Sequence, residues 1–273
     1  MPQVVVDRLY HLGVVSGVID DLRIVEIIDA RIETDPQEEI TAGEAIKGMI
    51  INGLGFSNRP MTLTPQFFQN KPLDVLFRAG VTAEHFNRFK LGRSLDDVYA
   101  YGCDLLFCEI SVDVCQQERV ELRFHSLDTT SFSVTGDYVP DSDEQAIRIV
   151  HGYSKDHRPD LKQAVLETIV SQDGGVPLMC QCFDGNASDN KVFQARAANL
   201  IEQFQAADEP RYLVADSKLY SEENASNLSQ LAFITRIPET LNTVKDVIEQ
   251  AWDFAAWSWL NPSLAYQRLD LSH

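Results

Sequence analysis

The chain has 273 residues, 44% of them hydrophobic and 23% charged, which suits one large soluble domain or two small ones and excludes a disordered chain. No run reaches the roughly 18 apolar residues of a membrane span, and the start, Met1-Pro2-Gln3-Val4-Val5-Val6-Asp7, has no basic segment leading an apolar one, so no membrane partner is expected and the compartment expected is the cytoplasm. A net charge of −18 excludes a grip on nucleic acid through the overall field, so any DNA contact is expected from local Lys/Arg clusters, from bound cations or from a basic part that is absent.

Residues 1–118 read as a helical domain. Leu22, Val25, Ile28 and Ile32 recur at helical spacing behind Asp20-Asp21. Thr41 and Glu44 form a capping-box signature ahead of Ala45, Ile46, Met49 and Ile50, and Gly53 and Gly55 close that helix. Pro65 and Pro72 punctuate two shorter segments, Gln66–Asn70 and Leu73–Arg78. Ser94 with Asp97 opens a longer helix running through Val98, Tyr101, Leu105 and Ile110 towards Cys115.

From Val120 the texture changes to strands. Val120–Phe132 alternates and predicts strand 1, with Asp128 upon it; Ala146–Gly152 predicts strand 2. Leu161–Ser171 either extends the sheet or forms a short helix, and Gly174-Gly175 turns into strand 3, Val176–Phe183. Lys191–Gln205 predicts an amphipathic helix, and strand 4, Tyr212–Ala215, ends in Asp216. A helix to Leu231 and strand 5, Phe233–Arg236, follow, and the tail from Val244 has helical character and three tryptophans. Of five cysteines, Cys180 and Cys182 share one side of strand 3; with no CxxC and no nearby completing pair, buried thiols are favoured over a zinc site.

Two aspartates at strand positions in a βββ-helix-β-helix-β order suggest a metal-dependent phosphodiester-cutting core. Mg²⁺ prefers oxygen ligands, and short carboxylates on rigid strands fix it well. The bland alternative is a pair of turn or capping aspartates. Lys155, His157, Arg158 and Lys162 form a basic loop that suits either phosphate contact or a solvated surface.

Several ordered motifs carry a resemblance. Leu127-Asp128-Thr129-Thr130-Ser131-Phe132, the run from His151-Gly152-Tyr153-Ser154 through Arg158-Pro159-Asp160-Leu161-Lys162-Gln163, Gly185-Asn186-Ala187-Ser188-Asp189, and Val214-Ala215-Asp216-Ser217 together resemble the motifs of bacterial insertion-sequence DDE-type transposases. The helical part also looks like the N-terminal domain of that group. The resemblance implies an α/β fold, an RNase H-like mixed sheet flanked by helices and preceded by an all-helical N-terminal domain. It implies Asp128 and Asp216 as catalytic metal ligands, Mg²⁺ or Mn²⁺ as cofactor, and cutting and joining of DNA at transposon terminal inverted repeats. It further implies a homo-oligomer, or pairing with a full-length transposase.

The organisation expected is a helical domain over 1–118 for DNA binding or assembly, the first part of the catalytic core over 119–243, and the start of an insertion region over 244–273. The family's third carboxylate is a glutamate on a helix beyond that insertion. Glu222, Glu223, Glu239 and Glu249 are poorly placed to replace it, so the expectation is a truncated and inactive copy. The alternatives are a non-catalytic DNA-binding or inhibitory fragment regulating a full-length transposase, and an RNase H-like nuclease using two aspartates.

Overall fold

The computed structural model describes residues 8–33, 35–56, 60–139, 146–154, 157–188, 192, 196, 200–202, 204–207, 209–216, 224, 229–236, 243–253, 258–261 and 264–266. Two compact units emerge, one of residues 1–121 with 168–181, the other of 122–167 with 182–273.

The first unit is built on helices α1 (Leu12–Asp21), α2 (Ile24–Asp29), α3 (Ala42–Leu54), α4 (Thr64–Phe68), α5 (Leu73–Leu76), α6 (Arg88–Tyr101) and α7 (Cys103–Glu118). The capping box that opens α3 forms as expected. Thr41 Oγ1 accepts from the Glu44 N–H at 3.0 Å, and Glu44 Oε2 accepts from the Thr41 N–H at 2.9 Å. Glu44 also takes the Arg78 guanidinium at 2.6 Å, tying the cap to the segment after α5. The core gathers Ile40, Ile51, Phe68, Leu76, Phe86 and Leu91, all 0–1% exposed. Phe68 and Phe86 lie with ring centroids 4.6 Å apart. Gly48 is needed there, because a Cβ would come within 2.5 Å of the Phe86 ring.

Several boundaries differ from the sequence expectation; α6 starts at Arg88, capped by Asn87, and not at Ser94, which is buried within it. Helix α1 precedes the expected Leu22–Ile32 stretch, and Arg23, in the left-handed region at φ 54°, separates it from α2. The expected helix through Ser94 to Cys115 is two helices. Gly102, at φ 111°, breaks the chain between α6 and α7, a conformation open chiefly to glycine. Val98, Tyr101, Leu106 and Ile110 pack on one cluster with Ile28 and Ile32, and the break moves the buried position from Leu105, which is exposed, to Leu106. Within α6, Gly92 is different: a Cβ there meets nothing within 4 Å. Gly92→Ala is therefore expected to stabilise this unit by about 0.5–1 kcal/mol, read as a higher urea midpoint at unchanged slope.

A five-stranded mixed sheet in the order β3-β2-β1-β4-β5 is formed by β1 (Phe124–Val134), β2 (Lys162–Ser171), β3 (Pro177–Phe183), β4 (Tyr212–Ala215) and β5 (Phe233–Thr235). β1 pairs parallel with β4, and β4 parallel with β5. The short connection between β2 and β3 permits only an antiparallel return. This is an RNase H-like α/β fold flanked by helices and preceded by an all-helical region. Burial along β2 alternates strictly, with Gln163, Val165, Glu167, Ile169 and Ser171 inside.

The expected strand over Ala146–Gly152 is instead an isolated bridge between Val150 and Gln163, and the segment Leu161–Ser171 supplies the sheet strand. In the expected helix Lys191–Gln205, the described residues 192, 196, 200–202, 204 and 205 are helical, and Val192, Arg196 and Leu200, four apart, are all buried. The tail carries helix α8 (Thr243–Asp253), then a two-stranded hairpin, β6 (Ser258–Asn261) with β7 (Leu264–Tyr266). Cys115 is buried, but Cys103 and Cys182 are exposed, so burial does not extend to all the thiols as expected.

Candidate active site

β1 alternates about the plane of the sheet. His125 and Thr129 are buried on one face, while Asp128, Thr130 and Phe132 are exposed. The register with β4 pairs Phe124 with Tyr212, His125 with Leu213 and Ser126 with Val214. Parallel neighbours in register point their side chains to the same face. Phe124 and Tyr212 accordingly stack, with centroids 5.3 Å apart. Continued two residues past its last pair, Ser126 with Val214, this register would bring Asp128 level with Asp216, the first residue after β4. Asp128 sits within β1, at the point where β4 has just ended. Both aspartates are exposed.

Local contacts hold both positions. The Thr129 N–H donates to Asp128 Oδ1 at 2.7 Å. Thr235 on β5 donates its hydroxyl to the Asp216 carbonyl at 2.6 Å, fixing the backbone where β4 stops. Two oxygen-donor side chains on adjacent strands are a donor set that fits Mg²⁺ or Mn²⁺, which take carboxylates together with water and phosphate oxygens. Among the described residues no group of three His, Cys, Asp or Glu side chains converges as a metal site. Glu249 is exposed on α8; Glu222, Glu223 and Glu239 lie outside the described residues.

The opposite face supports the strand pair. His125 is 5% exposed, lies 4.9 Å from the Phe204 ring, and its Nδ1 has no hydrogen-bond partner among the described residues. Burial, with repulsion from Arg211, lowers its pKa from 6.5 to about 4. At pH 7 the imidazole is thus neutral in folded and unfolded chain alike. As pH falls from 6.5 towards 4, the unfolded chain takes up a proton that the folded chain refuses, so stability is lost over that window. The loss amounts to about 3 kcal/mol, and urea unfolding at pH 7 and pH 4.5 of wild type and His125→Leu should show it only in wild type.

Arg196 donates to Glu167 at 3.0 Å in a pair that is almost wholly buried, with side chains 5% and 1% exposed. Burial pushes the Glu167 carboxyl up, against the pull of Arg196. The sequence reading missed this pair. Its signal was a glutamate on the inward phase of an alternating strand and an arginine on the apolar side of a helix.

The loop after the Val150–Gln163 bridge is tied to itself. The Arg158 guanidinium grips Asp160 with two bonds of 2.8 and 2.7 Å, and holds that carboxyl below its ordinary range. The Arg158 N–H reaches Ser154 Oγ at 3.0 Å, and His157, at φ 57°, donates its N–H to the Ser154 carbonyl. Lys162 Nζ donates to the carbonyls of Asp137 and Tyr138. Lys155 lies outside the described residues. Gln163 Nε2 then bonds the carbonyls of Tyr153 at 3.1 Å and Gly185 at 2.7 Å. Glycine is obligatory at this crossing, since a Cβ on Gly152 would stand 1.9 Å from the Gly185 carbonyl oxygen. Arg148 and Asp184 close the corner with an ion pair of 2.6 Å.

An RNase H-like sheet carrying paired carboxylates at the end of β4 defines the class of the fold and its candidate site. Residues 4–112 match the family model described as a domain of unknown function (DUF4277). No curated protein matches the chain. Among solved structures, the chain is similar to a Mos1 transposase paired-end complex with left transposon end, at 10% identity over 82% of this chain and 74% of that one, with a TM-score of 0.27. It is likewise similar to a pre-cleavage Mos1 transpososome, at 9% identity over 91% of each chain and the same TM-score of 0.27. The fold assignment rests on strand order and register rather than on these likenesses. Among the described residues no helix is long and apolar enough to cross a membrane.

Proposed function

We propose that the chain is a transposase of the DDE type, acting on the DNA ends of a mobile element by metal-dependent phosphoryl transfer, with Asp128 and Asp216 as metal ligands. The observation that supports this reading is the parallel β1–β4 register, whose continuation would bring the exposed Asp128 and Asp216 level with each other. When bound there, Mg²⁺ or Mn²⁺ would polarise a phosphoryl oxygen and lower the pKa of an attacking water. The chain's own part is to hold two carboxylates on a rigid platform, with the Thr129 N–H and the Thr235 hydroxyl setting their positions.

Lys155, His157, Arg158 and Lys162 are assigned to DNA phosphates. For Arg158 this means exchanging the Asp160 carboxylate for a phosphate of the same bidentate geometry. With a net charge of −18 opposing DNA, these local phosphate contacts must supply the affinity, so binding should weaken with salt in proportion to their number, and loss of each should flatten that dependence.

The test is nicking of DNA carrying the element's terminal repeats, with Mn²⁺, Mg²⁺ or neither. Cleavage that requires the cation supports the reading. A second reading, a non-catalytic DNA-binding fragment, is favoured by the lack of a third converging ligand among the described residues. Binding to terminal repeats without cleavage at any cation concentration would select it.

A further inference from the structure

A third charged position lies beside the two aspartates, at the end of β5. β4 and β5 run parallel in register, Leu213 with Phe233, Val214 with Ile234 and Ala215 with Thr235. One residue past the last pair, Asp216 and Arg236 leave their strands side by side. A single hydroxyl links them: Thr235 Oγ1 donates to the Asp216 carbonyl at 2.6 Å and stands 3.3 Å from the Arg236 carbonyl. The backbone of the carboxylate and that of the arginine are thereby held together, on strands spaced about 4.8 Å apart.

Exposure alternates along β5. Phe233 and Thr235 are partly buried, while Ile234 is 50% exposed and Arg236, next in that phase, is exposed as well. Solvent thus reaches Arg236 as it reaches Asp128 and Asp216. A guanidinium near a carboxylate ordinarily closes an ion pair with it. Arg78, Arg148 and Arg158 do so, with Glu44, Asp184 and Asp160. Arg236 closes no ion pair among the described residues, so its guanidinium is available to a ligand.

Charge identifies that ligand. A divalent cation on a pair of carboxylates only cancels them, and a phosphodiester entering the site still brings a negative charge of its own. An arginine on the neighbouring strand supplies the balancing charge, with a fork of N–H donors matched to phosphate oxygens. We propose that Arg236 is a substrate-binding residue of this site, its guanidinium taking a non-bridging oxygen of the same phosphodiester that the cation on Asp128 and Asp216 engages. This rests on the reading of those aspartates as metal ligands and adds to it a group contributed by β5. Because guanidinium and cation share one phosphate, their effects on DNA binding are coupled.

Fluorescence anisotropy of the full chain with a labelled DNA duplex, in Mn²⁺ and in EDTA, measures that coupling. Arg236→Gln should weaken duplex binding at least about tenfold in Mn²⁺, the effect of losing a charge-assisted contact, and less than about twofold in EDTA. Arg236→Lys, which keeps the charge but not the fork, should recover part of the loss. Mn²⁺ binding itself, read from the shift in melting temperature, should hold or tighten in Arg236→Gln, and melting without Mn²⁺ should not move. An equal loss with and without Mn²⁺ would make Arg236 an ordinary surface cation and overturn the proposal. Weaker Mn²⁺ binding or lower melting in EDTA would make it a structural partner of Asp216, and overturns it too. A wild type that binds no Mn²⁺ removes the metal-site reading and this inference together. A wild type that binds Mn²⁺ but no duplex, or an Arg236→Gln variant that binds duplex in Mn²⁺ as tightly as wild type, removes the inference alone.

Discussion

Asp128→Asn and Asp216→Asn should each abolish cation-dependent nicking and weaken Mn²⁺ binding by at least about 100-fold, the upper end of what losing even an outer partner of a metal ligand does. Asparagine keeps the shape of the side chain and removes the charge that attracts the cation. Because both aspartates are exposed, the folded state should lose no more than about 0.5 kcal/mol, so a drop in activity cannot be laid to unfolding. The two changes act on one site, so the double variant should be scarcely worse than either single one. Titration with Mn²⁺, followed by the shift in melting temperature, reads the site even in the absence of cleavage. Unchanged Mn²⁺ binding in both single variants would show that the levelled carboxylates are not the ligands.

Gly185→Ala should cost about 3 kcal/mol or more in the unit that contains it, beyond the range of an ordinary surface change. The added methyl would stand 1.9 Å from the Gln163 carbonyl oxygen and 2.5 Å from that of Val150. Neither carbonyl can yield cheaply, because these two residues form the bridge, with N–H···O distances of 2.9 and 3.3 Å. The Gln163 amide, bonded to the Gly185 carbonyl, would be displaced as well. Gly152→Ala should be comparably severe, as its methyl would meet Gly185 itself. Since both changes break one corner, their combination should cost less than their sum. Urea unfolding measures this, and a Gly185→Ala midpoint equal to that of wild type would show that the corner can open without penalty. The corner also positions the loop of His157 and Arg158. DNA affinity should fall along with stability.

The two predictions differ in how far they could be foreseen. Asp128 and Asp216 were visible in the sequence as aspartates on strand-like runs, and the family resemblance already implied them as a pair. The structure adds the neighbourhood of β1 and β4, which lie far apart along the chain. Gly152 and Gly185 were visible as members of motifs, but nothing in either segment indicates that the two backbones touch. Arg158 shows the converse. Its guanidinium suited a phosphate on sequence grounds, and the folded loop gives it Asp160, two residues away. The sequence could not rank these two partners, since both are oxyanions of matching geometry.

Local interactions explain what could be read directly. The capping box at Thr41 and Glu44, the inward phase of Leu161–Ser171 and the change from helical to strand texture near Val120 each depend on residues within a turn or two of one another. Pairing of β1 with β4, the closed contact of Gly152 with Gly185 and the buried Glu167–Arg196 pair depend on residues brought together over long loops. There the outcome is set by which apolar faces can be buried at once and which backbone groups can be satisfied, a condition on the whole sheet. The break at Gly102 lies between these cases: its glycine was in plain view, but the apolar residues on either side of it did not show that the buried position would shift from Leu105 to Leu106.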